Sequence, residues 1–250
     1  MNRRNFIKIV SFGGAVTVAT KLSIDAFSGT NANQHSGKRW AMVIDTRKCI
    51  AQGGECRKCI EACNDSHNIP KFENPKDEIH WIWKDKFKNA FITSENHYLP
   101  QKLNEQKVLL LCNHCDNPPC TNVCPTKATW KRDDGIVMMD WHRCIGCRYC
   151  IAACPYGSRS FNWRDPRQNI GNLRDDYPAR TKGVVEKCTF CDELIARGGM
   201  PACVSACEEG ALRFGDLNNP DSDVRKILLD NFSIRRKPEL GTSPEVYYIV

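Results

Sequence analysis

The stretches CNHCDNPPCTNVCP (112–125) and CIGCRYCIAACP (144–155) decide how this chain folds. The second places Cys144, Cys147, Cys150 and Cys154 in a C-x2-C-x2-C-x3-C run with Pro155 directly behind. The first, with Cys112, Cys115, Cys120, Cys124 and Pro125, is the same run with two residues inserted before its third cysteine. Between them, in ATWKRDDGIVMMD (128–140), two β-favouring segments flank Asp134-Gly135, a tight-turn signal that predicts a hairpin.

That spacing is the one that holds a pair of 4Fe–4S clusters in bacterial ferredoxins. A cube needs four thiolates converging from different directions. Three closely spaced cysteines on a tight loop grip three irons, and the fourth, beside proline, leads away to the neighbouring cluster. By that rule Cys112, Cys115, Cys120 and Cys154 hold one cluster, and Cys144, Cys147, Cys150 and Cys124 hold the next. Crossed ligands keep the two close, as an electron relay requires.

Outside this inner unit lie two further groups: Cys49, Cys56, Cys59 and Cys63 before it, Cys188, Cys191, Cys203 and Cys207 after it. They are left to pair with each other. Cys49, Cys56, Cys59 and Cys207 make one set; Cys188, Cys191, Cys203 and Cys63 make the other. Neither Cys63 nor Cys207 precedes proline, and the long Cys49–Cys56 separation leaves open a cube lacking one iron. The expected fold is α+β, with two nested ferredoxin-like double-cluster units, β-hairpins and long cluster-covering loops. The expected cofactors are four 4Fe–4S clusters. A disulfide scaffold and structural zinc are the rival uses of sixteen cysteines, but four-member groups ending in Cys-Pro favour iron–sulfur.

The start, MNRRNFIKIVSFGGAVTVATK, sets Arg3-Arg4 before a short apolar run. It has the form of a twin-arginine export signal, a route that moves proteins already folded. Residues 1–32 are assigned to that segment, 33–39 to a polar linker and 40–250 to the four-cluster domain. Within the domain, 107–165 is the inner unit, 40–63 plus 184–220 the outer unit, 64–106 an insertion and 221–250 a C-terminal extension. Trp40–Cys49 reads as a strand and Tyr156–Gly183 as a surface loop after a short strand near Ser158–Trp163. ALRF (211–214) and EVYYIV (245–250) read as strands, and DSDVRKILLDNF (221–232) as a helix. In the insertion, Trp81, Trp83, Phe87 and Phe91 sit among charges. They form either an apolar cap over the nearest cluster or a docking surface for a partner.

The formal charge is +7; residues 1–32 contribute +3 of it (Arg3, Arg4, Lys8 and Lys21 against Asp25), leaving +4. Each oxidised cube with its thiolates adds roughly −2, so the basic excess is read as compensation for clusters and argues against nucleic-acid binding. Basic residues beside cysteines (Lys48, Arg57, Lys58, Arg143, Arg148, Lys187) would raise cluster potentials, though any single one is ordinarily solvated surface. His114, between two cysteines, is expected to donate a hydrogen bond rather than to ligate. Trp141 and His142 are candidates to pack on a cluster. No nucleophile–base constellation suggests catalysis by the protein itself.

Four cysteine groups in this order resemble the electron-transfer subunits of the complex iron–sulfur molybdoenzyme family, over residues 40 to about 220. CNHCDNPPC, CPTKATWKRDDGIVMMDWHRCIGCRYCIAACPYGSRSFNWRDPR, KGVVEKCTFC and RRKPELGTSPEVYYIV are similar to the DsrO group of periplasmic iron–sulfur subunits in DsrMKJOP membrane complexes. That resemblance implies a non-catalytic electron carrier at the extracytoplasmic face of the membrane, in sulfur metabolism. Its partners would be a polytopic quinone-interacting membrane subunit, a multihaem cytochrome c and the other subunits of such a complex. The alternative company is an exported molybdopterin reductase of the tetrathionate or polysulfide type.

Overall fold

The computed structural model describes residues 37–52, 55–94, 98 and 101–250. The export-signal segment 1–32 and most of the 33–39 linker lie outside the described residues. Helices and strands mix throughout.

Strand β1 (Trp40–Asp45) is hydrophobic on both faces because both are covered. Ala41 and Val43 pack with Val224 and Ile249, under the helix Asp223–Asp230. Met42 and Ile44 face the main core. On one side β1 pairs antiparallel with β8 (Leu212–Asp216), Met42 opposite Phe214. On the other it runs parallel to β10 (Val246–Ile249), Met42 opposite Val246, and β9 (Ser233–Ile234) closes that edge. The segment 221–250 is therefore no appendage, since its last strand is interior to the sheet.

The strand expected over Trp40–Cys49 stops at Asp45. The Asp45 carboxylate accepts from the backbone N–H groups of Arg47 and Lys48, and a short helix, Thr46–Ala51, follows. Cys49 consequently sits on a helix rather than a strand. Burial raises the Asp45 carboxyl, but the Arg47 side chain and these backbone donors more than offset it and hold it below the usual range.

In the insertion, β2 (Ile82–Lys86) pairs antiparallel with β3 (Lys107–Leu111). Trp81, Phe87 and Phe91 are each less than 5% exposed and belong to the main core; Trp83 packs against it. Burying side chains of this kind contributes about 1.5–3 kcal/mol each, so these aromatics hold the insertion in place and do not form a docking surface.

The expected hairpin forms from β4 (Thr129–Lys131) and β5 (Val137–Met139), with Gly135 at φ +87°. Strands β6 (Ser160–Phe161) and β7 (Val185–Glu186) bracket the long loop. That loop is not all surface. Arg180 is buried against Trp81, Trp141 and Tyr177, and its Nε donates to Glu186 at 2.8 Å, with both side chains inaccessible. Among the described residues no helix is long and apolar enough to cross a membrane.

Candidate metal centre

All sixteen cysteines are free thiols, which leaves no disulfide scaffold. Four short helices, which carry Cys59 and Cys63, Cys203, Cys120 and Cys150, pack in two pairs: Lys58–Ser66 on Ala202–Ser205, and Pro119–Asn122 on Tyr149–Ala153.

Cys49, Cys56, Cys59 and Cys207 line one cavity of about 300 Å³. The Ala211 N–H donates to Cys207 Sγ at 3.2 Å, and Lys84 Nζ reaches the Cys56 carbonyl at 2.5 Å. Burial, then the charges of Cys49, Cys207 and Cys56, pushes the Cys59 thiol up to about 12.

Cys63, Cys188, Cys191 and Cys203 are all buried. Burial raises the Cys63 thiol far above its ordinary value, and Cys188, Cys203 and Cys191 add to the effect. Backbone N–H groups point at two of these sulfurs: Phe190 to Cys188 and Ala202 to Cys191, each at 3.4 Å. His67 lies over this set, its Nδ1 2.8 Å from the Cys63 carbonyl and its Nε2 3.1 Å from Glu193 Oε1.

The third set, Cys112, Cys115, Cys120 and Cys154, lines a smaller pocket together with Tyr156 and Arg159. Burial, then the Cys112 charge, pushes the Cys115 thiol up to about 12. Beside it a small apolar core gathers Cys120 and Cys150 with Cys124 and Cys144. Burial raises the Cys124 thiol, but the Thr126 hydroxyl and neighbouring backbone N–H groups outweigh it and leave it lowered; the Ala128 N–H donates at 3.2 Å. Cys147, on the loop between Cys144 and Cys150, is exposed.

The backbone explains how tight loops bring two thiols of a C-x2-C together. The residue before the second cysteine is left-handed in three of them: His114 (φ +41°), Gly146 (+70°) and Phe190 (+59°). At Gly146 an added Cβ would collide with the Gly183 carbonyl oxygen, so only glycine fits.

Two families of 4Fe-4S dicluster domain match this sequence, one over residues 107–169 and the other over 143–211. Among curated relatives, the Hdr-like menaquinol oxidoreductase iron-sulfur subunit 1 of Archaeoglobus fulgidus is 40% identical, over 99% of this sequence and 97% of its own length. The menaquinone reductase iron-sulfur cluster-binding subunit of Nitratidesulfovibrio vulgaris is 37% identical, over 84% and 88%. A polysulfide reductase component of Wolinella succinogenes is 34% identical, over 85% and 94%. The protein belongs to the 4Fe–4S ferredoxin-like electron-transfer subunits of oxidoreductase complexes.

The residues of this iron–sulfur subunit fit such clusters. Thiols that burial keeps protonated at neutral pH become good ligands once iron displaces the proton. N–H groups aimed at sulfur stabilise the thiolate form. His67, Cys191 and Glu193 approach within 4.8 Å of one another. Because Cys191 belongs to the second set and His67 already bonds Glu193, they form no separate metal site.

Three surrounding residues differ from expectation or escaped it. His114 is fully buried, and its Nδ1 accepts from the Val137 N–H at 3.1 Å rather than donating. The cause is an N–H on the β5 side of the loop, which an imidazole lone pair satisfies. His142 is almost fully exposed, with its Nδ1 3.5 Å from Asp140 Oδ1, whereas Trp141 stands against the Arg180 guanidinium. Arg159 is buried with its Nη2 3.0 Å from Cys120 Sγ. The only trace of it in the sequence is an arginine between two serines just past Pro155.

Proposed function

We propose that the sixteen cysteines hold four 4Fe–4S clusters in a row, in two nested double-cluster units, and that the protein relays single electrons along them. When bound, each cluster exchanges one electron at a time. The observation that carries this reading is the succession of charge effects from one set to the next. Cys59 of the first raises the thiol of Cys63 in the second, Cys112 of the third raises Cys188 of the second, and Cys120 of the third raises Cys150 of the fourth. Charges felt across each boundary mean short steps between neighbours. The protein's part is to space the sulfurs and keep water from the middle sets.

The company we infer is a DsrMKJOP-like complex of sulfur metabolism. A polytopic quinone-interacting membrane subunit stands on one side of the relay and a multihaem cytochrome c on the other, outside the cytoplasmic membrane. The near full-length similarity to a menaquinol oxidoreductase subunit supports the quinone side. Arg3-Arg4 before an apolar run supports twin-arginine export. The 38% identity to a tetrathionate reductase component of Salmonella typhimurium favours a second reading, service to an exported molybdopterin reductase. Gentle solubilisation, capture of the protein and mass spectrometry of its companions separate the two. A membrane subunit with a multihaem cytochrome supports the first; a large molybdopterin-containing companion replaces it with the second.

A further inference from the structure

Arg159 is 5% exposed, and among the described residues its guanidinium touches sulfur and hydroxyl but no carboxylate. Its Nη2 donates to Cys120 Sγ at 3.0 Å and to Thr129 Oγ1 at 2.9 Å; its Nη1 lies 3.6 Å from Met139 Sδ. The charges it feels come from Cys120 and Cys112 of the third set and from Cys150 of the fourth. Cys150 packs in one buried cluster with Cys120 and Met139, the two residues whose sulfurs the guanidinium meets. The cation therefore bonds a ligand of the third set and stands beside the cluster that holds Cys150 of the fourth.

A buried guanidinium without a counter-charge is costly. Among the described residues the counter-charge at the guanidinium comes from cysteine sulfurs, and each set with its cube carries roughly −2 when oxidised. Reduction adds one more negative charge on whichever side takes the electron. A fixed cation between the two favours both reduced forms and screens each cluster from its neighbour's charge. Thr129 holds it there, its hydroxyl donating onward to the Met138 carbonyl at 2.6 Å.

We propose that Arg159 is a counter-charge shared by the third and fourth clusters, raising the reduction potentials of both and levelling the step between them. The proposal rests on the cluster assignment above and adds a tuning residue to it.

The test is an EPR-monitored redox titration of the full-length protein, with iron counted in parallel. Cys115→Ser and Cys147→Ser identify the two inner signals. In Arg159→Gln both inner potentials fall, so that at the wild-type midpoint each reduced-to-oxidised ratio drops about tenfold, equivalent to about 59 mV for one electron. The other two stay, and Arg159→Lys, which keeps the charge, restores both. Unchanged inner potentials, a shift in only one, or an equal shift in all four overturns the proposal. If Arg159→Gln loses the inner clusters, the lysine variant decides. Assembly at wild-type potentials supports a charge role, and loss in both variants overturns it in favour of a structural fork. A wild-type protein lacking the two inner signals overturns the cluster assignment itself, and this inference with it.

Discussion

The His114 imidazole lies flat on the Phe190 ring, centroids 3.6 Å apart and planes 15° from parallel. Each residue occupies the left-handed position of a C-x2-C loop, one between Cys112 and Cys115 and one between Cys188 and Cys191. The two loops are thus clasped through equivalent residues, and Phe190 also meets Phe214 of β8 edge-on. Neither is glycine, although each left-handed non-glycine residue costs of order 1–3 kcal/mol. The stack is what repays that strain.

Phe190→Ala should therefore damage two sets at once. Truncating a buried phenylalanine costs about 3–5 kcal/mol, and the lost stack loosens both loops. Thermal unfolding with iron and sulfide counts would show a lowered midpoint and partial loss at both the Cys112 and the Cys188 sets. Loss confined to the Cys188 set would mean that the stack does not couple the units.

Gly146→Ala and Gly157→Ala form a matched pair. Both glycines are left-handed, at φ +70° and +66°, but only Gly146 has a carbonyl where the new Cβ would go; around Gly157 there is nothing within 4 Å. Gly157→Ala should cost only the conformational penalty, about 1–2 kcal/mol. Gly146→Ala should cost more and disturb the Cys144–Cys150 loop. Equal melting temperatures for the two variants would remove the steric argument.

The buried pair Arg180–Glu186 is a structural knot between the long loop and β7. Glu186 also accepts from Trp81 Nε1 at 3.0 Å and from Asn162 Nδ2 at 2.5 Å. Arg180 donates to the carbonyls of His67 and Asn68, at 2.5 and 3.0 Å. Removing one partner of a buried pair costs about 3–5 kcal/mol, so Glu186→Gln and Arg180→Met should each destabilise by that order. The double variant should fall well short of their sum. A denaturant-melting double-mutant cycle with additive penalties would show that the two act independently.

Much of this was legible in the sequence, for physical reasons that differ by element. Cysteine spacing is dictated by iron–sulfur geometry, so the four cysteine groups declare themselves. Asp134-Gly135 announces its own turn. Other features depend on contacts far apart in sequence. The parallel docking of Val246–Ile249 beside β1 joins opposite ends of the domain, and no local pattern encodes it. Trp81 and Phe91 sit among lysines and aspartates that hide a core role, while Arg159 resembles any loop arginine until Cys120 is placed beside it. The Asp45 cap is the one miss with a local cue, an aspartate preceding Thr46-Arg47-Lys48.

His80 gives a pH dependence separate from the cysteines. It is half-buried beside Trp83, and burial lowers its pKa from the ordinary value despite an opposing pull from Glu78. The unfolded chain therefore takes up this proton first as pH falls. Stability is fully present above about pH 6.5 and declines below it until the folded form also protonates. That slope is at most about 1.4 kcal/mol per pH unit. His80→Gln should flatten the melting temperature between about pH 6.5 and 5; an unchanged profile would place the acid sensitivity elsewhere.

The order in which clusters are lost should follow exposure of the sulfurs. Cys147 is exposed, and Ile145 and Tyr149 around it are 67% and 62% accessible, so oxidant and chelator reach the fourth set directly. Cys63, Cys188, Cys191 and Cys203 are each 5% exposed or less. Thiolate oxidation tracks access. Limited treatment with ferricyanide and a chelator should therefore remove the signal that Cys147→Ser also removes, and spare the second set until the fold opens. The second set disappearing first would mean that reagents enter by another path, through the cavity at Cys49 and Cys207, and that burial does not shield these four sulfurs.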